Sequence, residues 1–173
     1  HPGELAATRA DYDRWLDGMR RLGARVVRIY TILRPQFYEA LDARYPFSDA
    51  ARQARLDLMY AYYRNHETES AVDEADQFIR ENPTHPRVDY AYYIKGLVYF
   101  ERAPNFLERW LKVDLSERPP ADALQSFAAF QTLVQQYPKS EYAHDARRRM
   151  LYLRNRLADY EIHVAEYYMR RGA

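Results

Sequence analysis

Three prolines punctuate this chain at similar points of a helical pattern: Tyr45-Pro46, Asn82-Pro83 and Tyr137-Pro138. Proline has no amide hydrogen to give a helix, and it turns the preceding residue away from helical angles, so each pair closes the element before it. Pro46 and Pro83 stand 37 residues apart, Pro83 and Pro138 stand 55 apart. Ahead of the stops, apolar residues recur at helical spacing. Residues 51–63 place Ala54, Leu58, Ala61 and Tyr62 on one face, and 69–81 place Ala71, Ala75, Phe78 and Ile79 likewise. Short helices with one apolar face each cannot stand alone, so the pattern demands stacked helical pairs.

The pairs repeat in detail. Counting back 12, 8 and 5 residues from Pro83 gives Ala71, Ala75 and Phe78; the same offsets from Pro138 give Ser126, Phe130 and Leu133. A small residue, two apolar residues and a terminal proline make the second-helix signature of a tetratricopeptide (TPR) unit, whose period is about 34 residues. The first proline spacing fits one unit, and the second fits one unit plus an insertion at 103–120. In the preceding helices Ala61 and Gly96 stand 35 residues apart, where a small side chain lets two helices approach closely. The expected fold is an all-α TPR helix–turn–helix solenoid over 42–173. Its repeat positions are Pro46, Ala61, Ala71, Phe78, Pro83, Gly96, Phe130 and Pro138.

Both ends depart from the pattern. Residues 10–22 form a helix stripe of Tyr12, Trp15, Leu16, Met19 and Leu22, with Gly23 as its stop. The β-branched and aromatic run Val26–Ile32 then reads as a strand. A lone strand leaves its backbone ladder unsatisfied, so 24–33 is expected as an extended linker or drawn into helix. Segment 1–41 is therefore either a divergent first repeat, with 35–45 as its second helix, or foreign sequence joined near Phe37–Leu41. At the other end, 141–156 (Tyr142, Ala146, Met150, Leu153) and 158–171 read as two helices, the second carrying Ile162, Val164, Ala165 and Tyr168. A solenoid closes with a polar cap. None follows Gly172, and the chain opens on His1-Pro2, so a processed or excised piece of a longer protein is expected.

Chemistry-bearing motifs are missing. With no Cys there is no thiolate nucleophile, thiolate metal site or lipid-bearing Cys in this sequence. The five His form no H-E-x-x-H pair, and nucleophile-elbow and phosphate-loop patterns are absent. No cofactor, metal or catalytic residue is expected. The 26 Lys and Arg against 25 Asp and Glu leave a net charge of +1, which gives no field for nucleic acid. No run approaches the ~20 apolar residues of a membrane span.

What remains is binding. The chain holds 17 Tyr, a residue with an apolar body and a polar tip, suited to half-wet surfaces. Neighbours on a helix point about 100° apart, so Tyr62 and Tyr63 cannot both face inward, nor can Tyr92 and Tyr93. First helices line the concave side of such solenoids, which makes Tyr60, Tyr63, Tyr90 and Tyr93 candidates to receive an extended partner segment. Phe106 and Trp110 in the insertion are either a patch folded over their own repeat or an exposed hook. Arg147, heading Arg147-Arg148-Arg149 with Arg154 and Arg156 beyond, is either a solvated helix pairing with Asp145, Asp159 and Glu161 or a dock for an acidic strand or lipid headgroup.

Specific stretches go further than the repeat: ALDARYPFS (40–48), LDLMYAYYRN (56–65), IRENPTHPRVDYAYYIKGLVYF (79–100), LVQQYPKSEYAHDA (133–146) and YLRNRLADYEIHVAEYYMRRGA (152–173). From about Ala40 onward the sequence resembles the BamD (YfiO/ComL) family of outer-membrane assembly lipoproteins. The resemblance implies a non-enzymatic scaffold at the periplasmic face of the outer membrane, held there by a lipid anchor that this sequence lacks. It implies binding to the POTRA domains of BamA, to a BamC-like lipoprotein and to unfolded outer-membrane protein segments. Residues 10–41 instead resemble a short piece of a (β/α)-barrel glycoside hydrolase. That likeness leaves as the alternative a carbohydrate-active protein with an appended helical module.

Overall fold

The structure is a computed structural model and describes residues 7–24, 31–44, 49–102 and 121–171. Among these residues it is all helix: α1 (Arg9–Arg21), α2 (Pro35–Arg44), α3 (Asp49–Arg64), α4 (Thr68–Glu81), α5 (Val88–Arg102), α6 (Ala121–Gln136) and α7 (Ala143–Arg171). Pro46, the insertion with Phe106 and Trp110, and most of the expected strand (25–30) lie outside the described residues.

Local sequence explains the helix ends. Thr8 and Asp11 form a capping box at α1: the Asp11 amide donates to Thr8 Oγ1 at 3.3 Å, and the Thr8 amide donates to the Asp11 carboxylate at 2.8 Å. Hydrogen bonds from the Thr8 backbone and hydroxyl and from Arg14 hold the Asp11 carboxyl at about 2. At the other end the Ala24 amide donates to the Met19 carbonyl and the Gly23 amide to that of Arg20, both at 3.0 Å. This Schellman pair needs a left-handed residue, and Gly23 supplies it at φ +72°. Pro83 and Pro138 fall in the turns two residues after α4 and α6 end.

Residues 1–78 and 79–173 form two compact units. In the first, Tyr12 and Leu16 of α1, Phe37, Tyr38 and Ala40 of α2, and Ala54, Leu58 and Ala61 of α3 make one apolar cluster. Tyr12 meets Phe37 edge-on at 5.5 Å, and Arg9 bonds Glu39 at 3.1 Å. Thus α1 and α2 join the core of the helices that follow. Two members of the expected α1 stripe stay out of it: Trp15 is 56% exposed and Leu22 87%. In the second unit α5 packs on α6 and α6 on α7. Ala71, Ala75 and Phe78 and their counterparts Ser126, Phe130 and Leu133 all have no exposed surface.

One expectation is corrected. Residues 141–156 and 158–171 are not two helices; α7 runs unbroken for 29 residues from Ala143. No Pro or Gly lies between Ala143 and Arg171, and Leu157-Ala158, at the expected break, are strong helix formers.

A tyrosine-rich candidate partner-binding surface

The α5 tyrosines gather side chains from α7 and the turn before it. Tyr93 stacks on Tyr142 with ring centres 4.6 Å apart, and Tyr90 lies 5.5 Å from the same ring. The Arg87 guanidinium sits 5.0 Å over Tyr90 and donates to the Tyr142 hydroxyl at 3.3 Å. The Tyr93 hydroxyl donates to Asp145 Oδ2 at 2.9 Å, and Arg149 pairs with the same carboxylate. Arg149 also lies 4.8 Å over Phe100, whose ring is 5.6 Å from Tyr152. Tyr92, on the other flank of α5, packs on Tyr137 at 6.1 Å. An aromatic and cationic seam therefore runs the length of α5, its Tyr90, Tyr93, Phe100 and Tyr142 rings half-buried and Arg87 and Tyr152 exposed at its edges.

The seam has one acid at its centre. Burial alone would raise the Asp145 carboxyl, but hydrogen bonds from Arg149 and Tyr93 outweigh it and leave the group below its usual range. The Tyr93 hydroxyl, desolvated and donating to an anion, is pushed up to about 12. A phenol raised above its unfolded value of 10 contributes stability that is intact below pH 10 and lost as pH climbs towards 12. Tyr93→Phe should therefore cost about 1 kcal/mol at neutral pH and flatten the alkaline limb of a stability–pH curve. An unchanged limb in denaturant titrations would remove the hydroxyl from this role.

In the first unit Tyr62 is the inward member of its pair. Its hydroxyl donates to Glu39 Oε1 at 2.7 Å, and burial together with that carboxylate raises its pKa. Tyr63 lies against Tyr60 at 6.0 Å, both half-buried. Arg147 stands exposed on α7, apart from the Tyr93 cluster. The His85 ring accepts from the Arg87 amide at 3.2 Å in the turn before α5.

The structure brings together groups the sequence did not link. Tyr93 and Asp145 are 52 residues apart, and only the fold-back after Pro138 joins them. An open crevice of about 400 Å³ also lies between Thr31–Pro35 and Ala61–Asn65, with Arg34 and Arg64 beside apolar Ile32, Leu33 and Ala61. No group of three His, Asp or Glu placed to hold a metal, and no helix long and apolar enough to cross a membrane, occurs among the described residues.

Comparison with known proteins gives a consistent picture. The family model described as "YfiO: Outer membrane lipoprotein" matches residues 35–173. A protein of Vibrio cholerae named outer membrane protein assembly factor BamD is 43% identical over 135 residues, covering 78% of this chain and 56% of the relative. Proteins of the same name from Neisseria gonorrhoeae (44% over 138 residues, 80% and 52%) and Xylella fastidiosa (39% over 136 residues, 79% and 47%) are similar too. The chain spans about half the length of the curated relatives it matches. Residues 1–34, with α1 among them, precede the family match.

Proposed function

Because this chain belongs to the YfiO family of outer membrane lipoproteins, we propose that it is a non-enzymatic scaffold in the assembly of outer-membrane β-barrel proteins. The family match carries the reading: it runs from α2 to α7, so the helical pairs themselves are what is shared. The relatives are named assembly factors, and stacked helical pairs offer long side-chain-lined surfaces on which other chains can be held. The partners this reading names are the POTRA domains of a BamA-like protein, a BamC-like lipoprotein and extended segments of unfolded barrel proteins, at the periplasmic face of the outer membrane.

For the docking residues, geometry supports Tyr60 and Tyr63 more than Tyr90 and Tyr93. The Tyr93 ring and hydroxyl are both committed to Tyr142 and Asp145, so its truncation would loosen the fold as well as any contact. Tyr60 and Tyr63 lie side by side in the last turns of α3. A pair of half-buried rings can present edges and hydroxyls to a peptide at little entropic cost.

The test is capture from detergent-solubilised bacterial outer membranes with the tagged chain, read by mass spectrometry. Barrel-assembly proteins should be enriched above an unrelated helical-repeat control, and Tyr63→Ala should lower their yield with helix content unchanged by circular dichroism. Recovery no better than the control would reject the scaffold reading for this chain. Yields within about twofold of the parent for Tyr60→Ala and Tyr63→Ala would reject the tyrosine assignment alone.

A further inference from the structure

Two arginines line the crevice at the end of α3, one from each wall, and neither is neutralised. Arg34, just before α2, and Arg64, in the last turn of α3, are exposed and make no ion pair among the described residues. In the same unit Arg9, Arg44, Arg52 and Arg55 each hold a carboxylate. No acid lines the crevice, and Ile32, Leu33 and Ala61 give it an apolar wall.

Both walls are held in place before anything binds. The Leu33 amide donates to the Tyr38 hydroxyl at 3.3 Å, and the Phe37 amide to the Arg34 carbonyl at 3.0 Å. Opposite, the Asn65 amide donates to the Ala61 carbonyl at 2.9 Å, and the Asn65 side-chain amide donates to Glu67. A preformed site loses little of its affinity to ordering itself.

These features select the occupant. Two guanidiniums match a carboxylate, which accepts hydrogen bonds from their planar forks. The apolar wall calls for an aliphatic side chain beside that carboxylate. One turn of helix, about 10 Å across and 5.4 Å long, would by itself fill the crevice's volume of about 400 Å³, so the space suits extended chain. An anionic membrane is a poor match. Residues 1–78 hold 11 Arg and no Lys against 13 Asp and Glu, so no net attraction draws this unit to it. Inorganic phosphate would leave the apolar wall wet. On α3, Tyr60 lies one turn before Arg64 and about 40° around the helix from it, so the crevice continues the Tyr60 and Tyr63 surface. We propose that the crevice is a subsite for an extended partner segment, receiving an acidic residue next to an aliphatic one. The inference rests on the scaffold reading, which makes the occupant a stretch of protein.

The probe is an end-blocked peptide, Gly-Ser-Leu-Glu-Leu-Ser-Gly, titrated calorimetrically into the full chain. It should bind with a Kd of about 0.1 mM. Gln for the peptide's Glu, or Ser for its two Leu, should weaken binding about fivefold. Arg34→Gln and Arg64→Gln should each cost about fivefold, and Arg34→Lys and Arg64→Lys less, since an ammonium keeps the charge and loses the fork. Both side chains are exposed, so neither change disturbs the core. Arg52→Gln, about 18 Å away along α3, should change nothing, and Ile32→Ser should narrow the preference for Leu over Ser. No binding at millimolar peptide, equal binding of the Gln peptide, or an Arg52→Gln loss matching that of Arg34→Gln would each overturn the proposal. So would displacement of the peptide by equimolar inorganic phosphate or by phosphatidylglycerol vesicles. The capture from outer membranes separates the two readings. Barrel-assembly proteins recovered equally by the parent and by Arg34→Gln with Arg64→Gln would overturn the subsite and leave the scaffold reading standing.

Discussion

Gly96→Ala should destabilise the protein by about 2 kcal/mol and lower its melting temperature by roughly 4–8 °C. Helix propensity alone predicts the opposite sign, since alanine inside a helix gains about 1 kcal/mol over glycine. Packing decides the matter. A Cβ built on Gly96 would lie 2.4 Å from Cε1 of Phe130, 2.6 Å from Cδ1 and 2.8 Å from Cζ. Carbon atoms rest at about 3.5–4.0 Å. The Phe130 ring has no exposed surface and packs 6.1 Å from Tyr93, so it has no free volume to enter. The backbone is pinned as well, because Ser126 Oγ donates to the Gly96 carbonyl at 2.8 Å. α5 and α6 would have to move apart. Phe130→Leu should recover part of the loss in the Gly96→Ala background, although alone it opens a cavity, so the double variant should fall short of the summed losses. Thermal melts of the four proteins measure the coupling. A melting temperature unchanged or raised by Gly96→Ala would mean that the helices are not in contact there.

That glycine was legible before any coordinate was known, because a repeat shows a close approach as a small residue returning at one period. The buried sets Ala71, Ala75, Phe78 and Ser126, Phe130, Leu133 were legible for the same reason: both helices end on a proline from which offsets can be counted. Where no such marker exists the reading weakens. The length of α7 was missed because an amphipathic stripe drifts around a long helix, and a drifting stripe looks like two short helices. The Tyr93–Asp145–Arg149 cluster was out of reach for a different reason. Tyrosine and carboxylate patterns fix the face a side chain occupies, but their meeting depends on how the turn at Pro138 folds back. For the tyrosines, sequence limits which of two neighbours turns inward, and only the partner across the helix settles it, as Glu39 does for Tyr62.

Charge inside the core is the feature least visible to pattern reading, and it supports the second large effect: Glu74→Ala should cost about 3 kcal/mol. Arg55 sits on α3 between Ala54 and Leu56, both almost fully buried, and its side chain is only 11% exposed. Its Nε lies 2.5 Å from Glu74 Oε1 on α4, a carboxylate itself only 15% exposed. Removing the carboxylate takes away the anion bonded to the Nε of a guanidinium largely shielded from water, and losing one partner of such a pair costs about 3–5 kcal/mol when burial is complete. Residual exposure of both groups places this pair at the lower end. The intact pair is nevertheless worth little in net terms, because attraction and desolvation nearly cancel. Arg55→Met with Glu74→Leu should therefore stay within about 1 kcal/mol of the parent, while Glu74→Ala alone does not. Arg52→Gln, which breaks the exposed pair with Asp49, should change stability by less than about 0.5 kcal/mol. Urea denaturation of the four proteins gives the comparison, and a Glu74→Ala midpoint matching that of Arg52→Gln would show that water reaches the Arg55 guanidinium freely.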